Sequence, residues 1–434
     1  SGILNMLRPA MESSARSPDR DADAIRHGRG KFACMAAAYT LGVFNDNFFK
    51  QAALVLAVTA GRNSMQGFAL AVFTLPFIIF SAPAGWMADR FPKSKVVIGA
   101  KACEFLAMLA GAAGICLGHW SLIFTMLAVM GLQATFFSPA LNGSLPELYP
   151  AWYIPRANGI LRMLVTAAIL SGIALAGMAL DLPGQWRGIN LSLLVVGACV
   201  VAVSAAGFLV SLGVPHHPAA NPQAAFPWDG PMNTLRELRA ACSDRLLAIT
   251  IAVDLFVWFA GSVTILVINP MGIQQFGMSK TLTSGLIVSQ LLGIGAGGLA
   301  IGKLASRPRW QRVLAPATVA MGWAMVGVTA VPLLAAPAQV PALFVLMFVA
   351  GLAGGVILIP VESFLQVHPP AARKGAVLSA VNFVVFAGLL LSSFVANALN
   401  AWMRPTNSFG VLAVITLFAA LGLVRACRRL ESAT

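Results

Sequence analysis

Charge is what this chain has least of. Only 10% of its 434 residues are charged, against about 25% in soluble domains, and that scarcity excludes both a soluble enzyme and a disordered chain. Acids are the scarcer sign, with 15 Asp and Glu against 29 Lys and Arg, yet no dense run of bases marks a nucleic-acid partner. The six cysteines (Cys34, Cys103, Cys116, Cys199, Cys242, Cys427) contain no C-x-x-C pair. Five lie in or beside apolar stretches, where a free thiol acts as a small hydrophobe, so neither a disulfide framework nor a zinc site is expected. The segment to Lys31 does not read as a secretory leader, because its basic stretch runs into a full-length apolar segment with no short apolar region and cleavage site.

Apolar residues make up 58% of the chain. A membrane-crossing helix takes roughly 20 of them, and segments of that kind fall at about 32–60, 67–88, 96–118, 120–142, 158–180 and 188–213. Six more follow at about 246–275, 280–303, 313–335, 340–366, 375–402 and 407–424. The expected organisation is a polar tail over 1–31, a six-helix bundle over 32–213, a cytoplasmic linker over 214–245, a second bundle over 246–424 and a short tail over 425–434. Ser1-Gly2 reads as a cloning remnant ahead of Met6 or Met11. The linker is rich in proline (Pro215, Pro218, Pro222, Pro227, Pro231) and ends in an amphipathic stretch from Thr234 to Arg239.

Orientation follows from the bases. With the N-terminus in the cytoplasm, that side collects 22 Lys and Arg, and the other only Arg62, Arg187, Lys280 and Arg404. The positive-inside rule therefore expects both termini and the central linker in the cytoplasm. The halves also echo one another. Gly85-x-x-x-Asp89-Arg90 after the second span has a degenerate counterpart in Gly298-x-x-x-Gly302-Lys303 after the eighth. Pro146-Glu147, followed by Arg156 and Gly159, is matched by Pro360-x-Glu362, followed by Arg373 and Gly375. Parallel six-span repeats point to a transporter with its site between the halves.

Gly85-Trp-Met-Ala-Asp89-Arg90-Phe-Pro-Lys93-Ser-Lys95 resembles the loop between the second and third helices of the major facilitator superfamily, with Pro92 where that family has a second glycine. The resemblance, which covers about 32 to 424, implies a twelve-helix all-α membrane fold in two pseudo-repeats. It also implies a cytoplasmic latch built on Gly85, Asp89, Arg90 and Lys93, with Asp89 accepting hydrogen bonds from a neighbouring helix end. The alternative is that the bases merely fix topology.

The first span carries Asn45, Asp46, Asn47, Lys50 and Gln51 near mid-membrane. An Asp or Lys at a helix centre costs roughly +2.5 to +3.5 kcal/mol on the insertion scale, so residues without a task are not expected there. Asp46 and Lys50, four apart, can pair along one face. Asn45, Asp46 and Asn47 cannot share one stripe at 3.6 residues per turn, so some must meet other helices. A cavity-lining site is the expectation, against a polar helix-to-helix clamp. Phe44-Asn-Asp-Asn-Phe-Phe-Lys50 is also similar to the first-helix signature of bacterial lysophospholipid transporters. That resemblance implies headgroup recognition or coupling by Asp46 and Asn47.

Further candidates are Asp254, in the seventh span and near the position the repeat relates to Asp46; Glu104, with Lys101 three residues before it; and Arg162, expected to snorkel. Glu147 and Glu362 are expected to pair with loop bases such as Arg156 and Arg373. Small residues concentrate at Gly293, Gly295, Gly297 and Gly298 of the eighth span and at Ser171, Gly172 and Gly177 of the fifth. Those two helices line one seam between the halves in major facilitators, and small residues would let them part.

No H-x-x-x-x-D acyltransferase motif follows any of the five histidines, and no Ser/His or His/Asp constellation supports a membrane-embedded lipid enzyme. No catalytic residue, cofactor, metal or nucleic acid is expected. The expectation is a monomeric flippase-like transporter that moves lysophospholipids to the inner leaflet of a bacterial cytoplasmic membrane by alternating access. It would work among membrane lipids, with any acyltransferase a separate partner. The alternative is a proton- or sodium-coupled exporter of small amphipathic compounds, with Asp46 or Asp254 as the ion site.

Overall fold

The computed structural model describes residues 18–149, 153–214, 218–219, 221–302, 310–369 and 373–431. The first half contains α1 (Pro18–Thr59), α2 (Ser64–Arg90), α3 (Lys93–Leu117), α4 (Trp120–Leu148), α5 (Ile154–Leu180) and α6 (Leu191–Ser211). A short helix α7 (Gly230–Ala241) lies in the linker. The second half contains α8 (Arg245–Pro270), α9 (Lys280–Ile301), α10 (Leu314–Ala330), α11 (Ala336–Val367), α12 (Lys374–Trp402) and α13 (Pro405–Glu431). Between α5 and α6 runs a two-residue-per-strand hairpin, β1 (Gln185–Trp186) and β2 (Ile189–Asn190). Its two-residue turn holds Arg187 at φ 50° and Gly188 at φ 82°, the left-handed pair such a turn needs.

Eleven of these helices are long and apolar enough to cross a membrane. The expected first span lies in α1, which falls outside that group because its middle carries Asn45, Asp46, Asn47 and Lys50. α1 also reaches back to Pro18, into the segment expected to be a polar tail. The sequence supplies one reason: a proline, whose fixed φ suits the first helical position, opens the helix.

Two groups of helices pack around separate centres and meet along α2 with α12, α5 with α9, and α1 with α8. The ends carrying the 59–64, 181–190, 271–280 and 331–336 connections are called distal here, and those nearest the linker proximal. At the distal side one continuous apolar core draws on both halves, from Phe48, Phe49 and Val55 to Leu266, Val267 and Met271. Proximally the core divides. Met35, Val97, Phe137 and Leu161 form one cluster in the first half, and Leu247, Ile251, Val361 and Val381 another in the second. The halves thus share one apolar core distally, while proximally each keeps its own.

Glycines set the closest approaches. A Cβ on Gly293 or Gly297 would strike the carbonyls of Phe348 and Leu352, and one on Gly351 or Gly355 those of Gln290 and Ile294. The small-residue run of α9 therefore serves α11 inside the second half, and not the α5 seam expected of it. Gly172 likewise packs on the α1 backbone at Phe44, and only Gly177 faces α9, against Ser284 and the Lys280 carbonyl.

Candidate functional site

The α1 polar cluster points in three directions. Asn45 is fully buried and its Nδ2 donates to the Val200 carbonyl of α6 at 3.0 Å, which makes it a clamp. Asn47 Nδ2 donates to the Val43 carbonyl of its own helix at 2.8 Å. Asp46 faces the interior and its buried Oδ1 has no hydrogen-bond partner. The in-helix pair with Lys50 does not close: among the described residues the two make no ion pair. Lys50 Nζ instead stands over the Phe73 ring of α2, 5.0 Å from its centroid.

A second charged pair backs the first. Lys101 Nζ meets Glu104 Oε2 at 2.6 Å with both side chains almost wholly buried, so neither snorkels. Lys101 packs where a Cβ on Gly42 would lie and over the Phe137 ring at 5.1 Å. Glu104 Oε1 is left without a partner. Asp46 is in electrostatic range of Glu104, Lys101 and Lys50, and Tyr39 in range of Asp46 and Arg162. Two acids and two bases leave this interior group formally neutral.

Asp254 belongs elsewhere. Its Oδ1 is buried without a partner, the indole of Trp258 one turn on is placed to donate to it, and its charged neighbour is Glu362. Glu362 Oε2 lies 3.9 Å from Arg162 Nη1, across the two halves. Arg373, its expected partner, instead holds Glu237 of α7 at 2.7 Å. Glu147 has its side chain outside the described residues.

The latch also differs from expectation. Asp89 is exposed, and among the described residues its carboxylate accepts no hydrogen bond; its backbone carbonyl accepts from the Asn221 N–H at 2.9 Å. Arg90 Nη1 and Trp86 Nε1 both donate to the Ala224 carbonyl, at 2.7 and 2.9 Å. The motif grips the linker through its base and indole. A Cβ on Gly85 would meet nothing within 4 Å, so close packing is not why glycine stands there. Lys93 is buried.

What holds the distal side shut was missed by sequence reasoning. Gln51 Nε2 of α1 donates to Asn269 Oδ1 of α8 and to Ser284 Oγ of α9, both at 3.1 Å. Asn269 Nδ2 in turn donates to Gln66 Oε1 of α2 at 3.1 Å. All four side chains are buried. Gln51 and Asn269 are 218 residues apart, and so are Gln66 and Ser284, so this layer reports the register of the repeat. In that register Asp46 corresponds to Thr264. Asp254 lies almost three turns away from that equivalent, which corrects the pairing expected from span positions.

Nearer the distal surface, a π-helical turn, Met271–Gln275, lets consecutive glutamines serve different partners. Gln274 exchanges hydrogen bonds with Asn63 at 2.8 and 2.9 Å, and Gln275 donates to the Thr406 hydroxyl at 2.8 Å. Asp181, at the end of α5, caps the start of α9. Its carboxylate accepts from the Thr281 N–H and hydroxyl, each at 2.7 Å, and from the Lys280 N–H at 3.2 Å. Burial alone would raise the Asp181 pKa, but the Thr281 hydroxyl, the two N–H groups and the Lys280 ammonium together hold it below its ordinary value.

Two halves that share one apolar core distally and keep separate cores proximally, the first of them holding a buried charge cluster, fit an alternating-access carrier. The family model of the Major Facilitator Superfamily matches residues 32–329. The chain belongs to the major facilitator superfamily. It is 28% identical over 346 residues to the lysophospholipid transporter LplT of Enterobacter sp. (strain 638), covering 78% of this chain and 80% of that one. A lysophospholipid transporter LplT of Escherichia coli O157:H7 matches at 28% over 347 residues, with the same coverage. Among solved structures, an inward-facing, unoccupied bacterial homologue of the human lysosomal transporter Spinster superposes with a TM-score of 0.68 at 15% identity, covering 95% of this chain and 98% of that one. A D-xylose–proton symporter gives 0.67 at 18%, covering 90% and 96%. As a major facilitator, the protein is a multi-pass membrane transporter.

Proposed function

We propose that this major facilitator carries lysophospholipids across a bacterial cytoplasmic membrane. The observation that carries the proposal is the unclosed Asp46–Lys50 pair: among the described residues, a carboxylate oxygen without a partner and an ammonium that meets an aromatic face and no acid, one helical turn apart. Such a couple suits a zwitterionic headgroup, with the carboxylate taking the ammonium of the lipid and Lys50 its phosphate. Nearby Lys101 is paired with Glu104, whose second oxygen is itself unpartnered, and the two set the field in which the α1 groups act. The single acyl chain stays in the bilayer while the headgroup crosses the interior. The similarity to proteins named lysophospholipid transporters supports the same substrate.

In this reading the distal side is the outer face, as the 22 to 4 distribution of Lys and Arg supports, and the conformation described is inward-facing. Headgroup binding outside would displace the Gln51–Asn269 layer and the Asp181 cap, and proximal contacts would replace them. A lysophospholipid delivered inside is then a substrate for a separate acyltransferase. A coupled exporter is the second reading, favoured by Asp254, whose partnerless buried oxygen suits proton or sodium binding.

The test is transport of labelled lysophosphatidylethanolamine into proteoliposomes, with and without a pH or sodium gradient. Asp46→Asn, checked for folding by its thermal transition, is expected to lose transport with no gradient dependence remaining. A folded Asp46→Asn protein that transports normally would reduce the α1 motif to a clamp. Transport that collapses with the gradient and is lost in Asp254→Asn alone would favour the second reading.

A further inference from the structure

At the proximal end, far from the α1 cluster, an open cavity of about 440 Å³ lies between the start of α8 and the end of α13, lined by Ser243, Arg245, Ile249, Gly422 and Arg425 among others. Both arginines are exposed, and among the described residues neither makes an ion pair or hydrogen bond. Among the described residues no acid lines the cavity. The neighbouring Asp244 is engaged elsewhere: it accepts from the N–H groups of Leu246 and Leu247 and meets His368 Nε2 at 2.7 Å. Two exposed guanidiniums thus line one hollow with no acid beside them among the described lining residues, an arrangement that attracts an anion.

A second observation identifies the kind of anion. Along α13, Val411, Val414, Ile415, Phe418 and Leu421 are all exposed, from 36% to 69%. Their spacing of three and four residues places them on one face of the helix, and the next position on that face is Arg425. An apolar track one leaflet long therefore ends at the cationic hollow, whose own floor of Ala248, Ile249, Gly422 and Ala426 is apolar. A free inorganic anion has no use for such a track.

We propose that α8 and α13 form a binding site for an anionic phospholipid, with its phosphate between Arg245 and Arg425 and an acyl chain along the α13 stripe. Basic hollows between membrane helices at the cytoplasmic surface favour lipids of this charge. A zwitterionic lipid brings an ammonium into the same field and is disfavoured. The site is separate from the carrier interior and independent of which substrate that interior takes.

Native mass spectrometry of the full chain, titrated with phosphatidylglycerol, phosphatidylethanolamine or inorganic phosphate, tests this. One phosphatidylglycerol is expected to bind at least about tenfold more tightly than phosphatidylethanolamine, and Arg245→Gln/Arg425→Gln to abolish that preference. Arg62→Gln, at the distal end, is expected to leave it intact. Preference for phosphatidylglycerol retained in the double variant overturns the site. Displacement of the lipid by millimolar inorganic phosphate overturns the lipid assignment. Should the double variant not survive purification, the exposed Arg425→Gln alone is expected to weaken phosphatidylglycerol at least about threefold, and unchanged affinity overturns the proposal equally.

Discussion

Replacing Asp181 by alanine removes the cap that the first half places on the second. The N–H groups of Lys280 and Thr281 and the Thr281 hydroxyl then lose their acceptor. Because the site is partly exposed, water takes over much of that bonding. The cost therefore sits on the scale of an ordinary helix cap, about 1 kcal/mol. The Lys280–Asp181 ion pair, at 3.9 Å with both side chains roughly 30% exposed, adds well under about 1 kcal/mol after screening. The sum, about 1.4 kcal/mol, corresponds to a tenfold shift in the ratio of distally open to distally closed molecules. Spin labels at the exposed positions Arg62 and Ala335, on opposite halves of the distal surface, report that ratio by double electron–electron resonance. The longer-distance population is expected to grow about tenfold in Asp181→Ala. A carboxylate whose pKa is lowered by the contact strengthens it at neutral pH, and that strength is lost as pH falls through the lowered value. Wild type at acid pH should therefore approach the variant, whose own distribution stays flat with pH. An unchanged distance distribution in Asp181→Ala, or an acid response equal in both proteins, would refute the reasoning.

Other outcomes follow from the same geometry. On a cysteine-free background, Lys95→Cys is expected to label from the cytoplasmic side and Ala338→Cys from the outside, both positions being exposed where Ser94 is buried; labelling of Lys95→Cys from outside would invert every side assignment. Gly355→Ala places a methyl group against the Ile294 carbonyl, a backbone atom that cannot swing aside, and should lower stability by about 1–3 kcal/mol. A melting temperature equal to wild type would contradict that packing. Arg162→Gln breaks a 3.9 Å pair in which the arginine is 74% exposed, so thermal stability should change by less than about 1 kcal/mol. A larger loss would mean that this pair holds the proximal side.

The sequence by itself determined that this is a membrane protein of repeated helical halves, because composition and span length are local properties that the bilayer reads directly. It also located the polar centre of α1, since charged groups at mid-membrane stand out against apolar neighbours. The partners of those groups were not legible. Helical periodicity says which residues share a face but not which helix that face meets. Asn45 turned to α6, Lys50 to an α2 aromatic ring, and Glu362 to Arg162 of the other half instead of Arg373 close by in sequence. The spacing of the α9 glycines fits a sliding seam, whereas in the fold α11 packs on them. Least visible were Gln66, Asn269 and Ser284, uncharged residues scattered through three spans, which Gln51 of the α1 centre joins. Their hydrogen bonds span about 200 residues of chain, and only the folded bundle brings such distant amides into one layer.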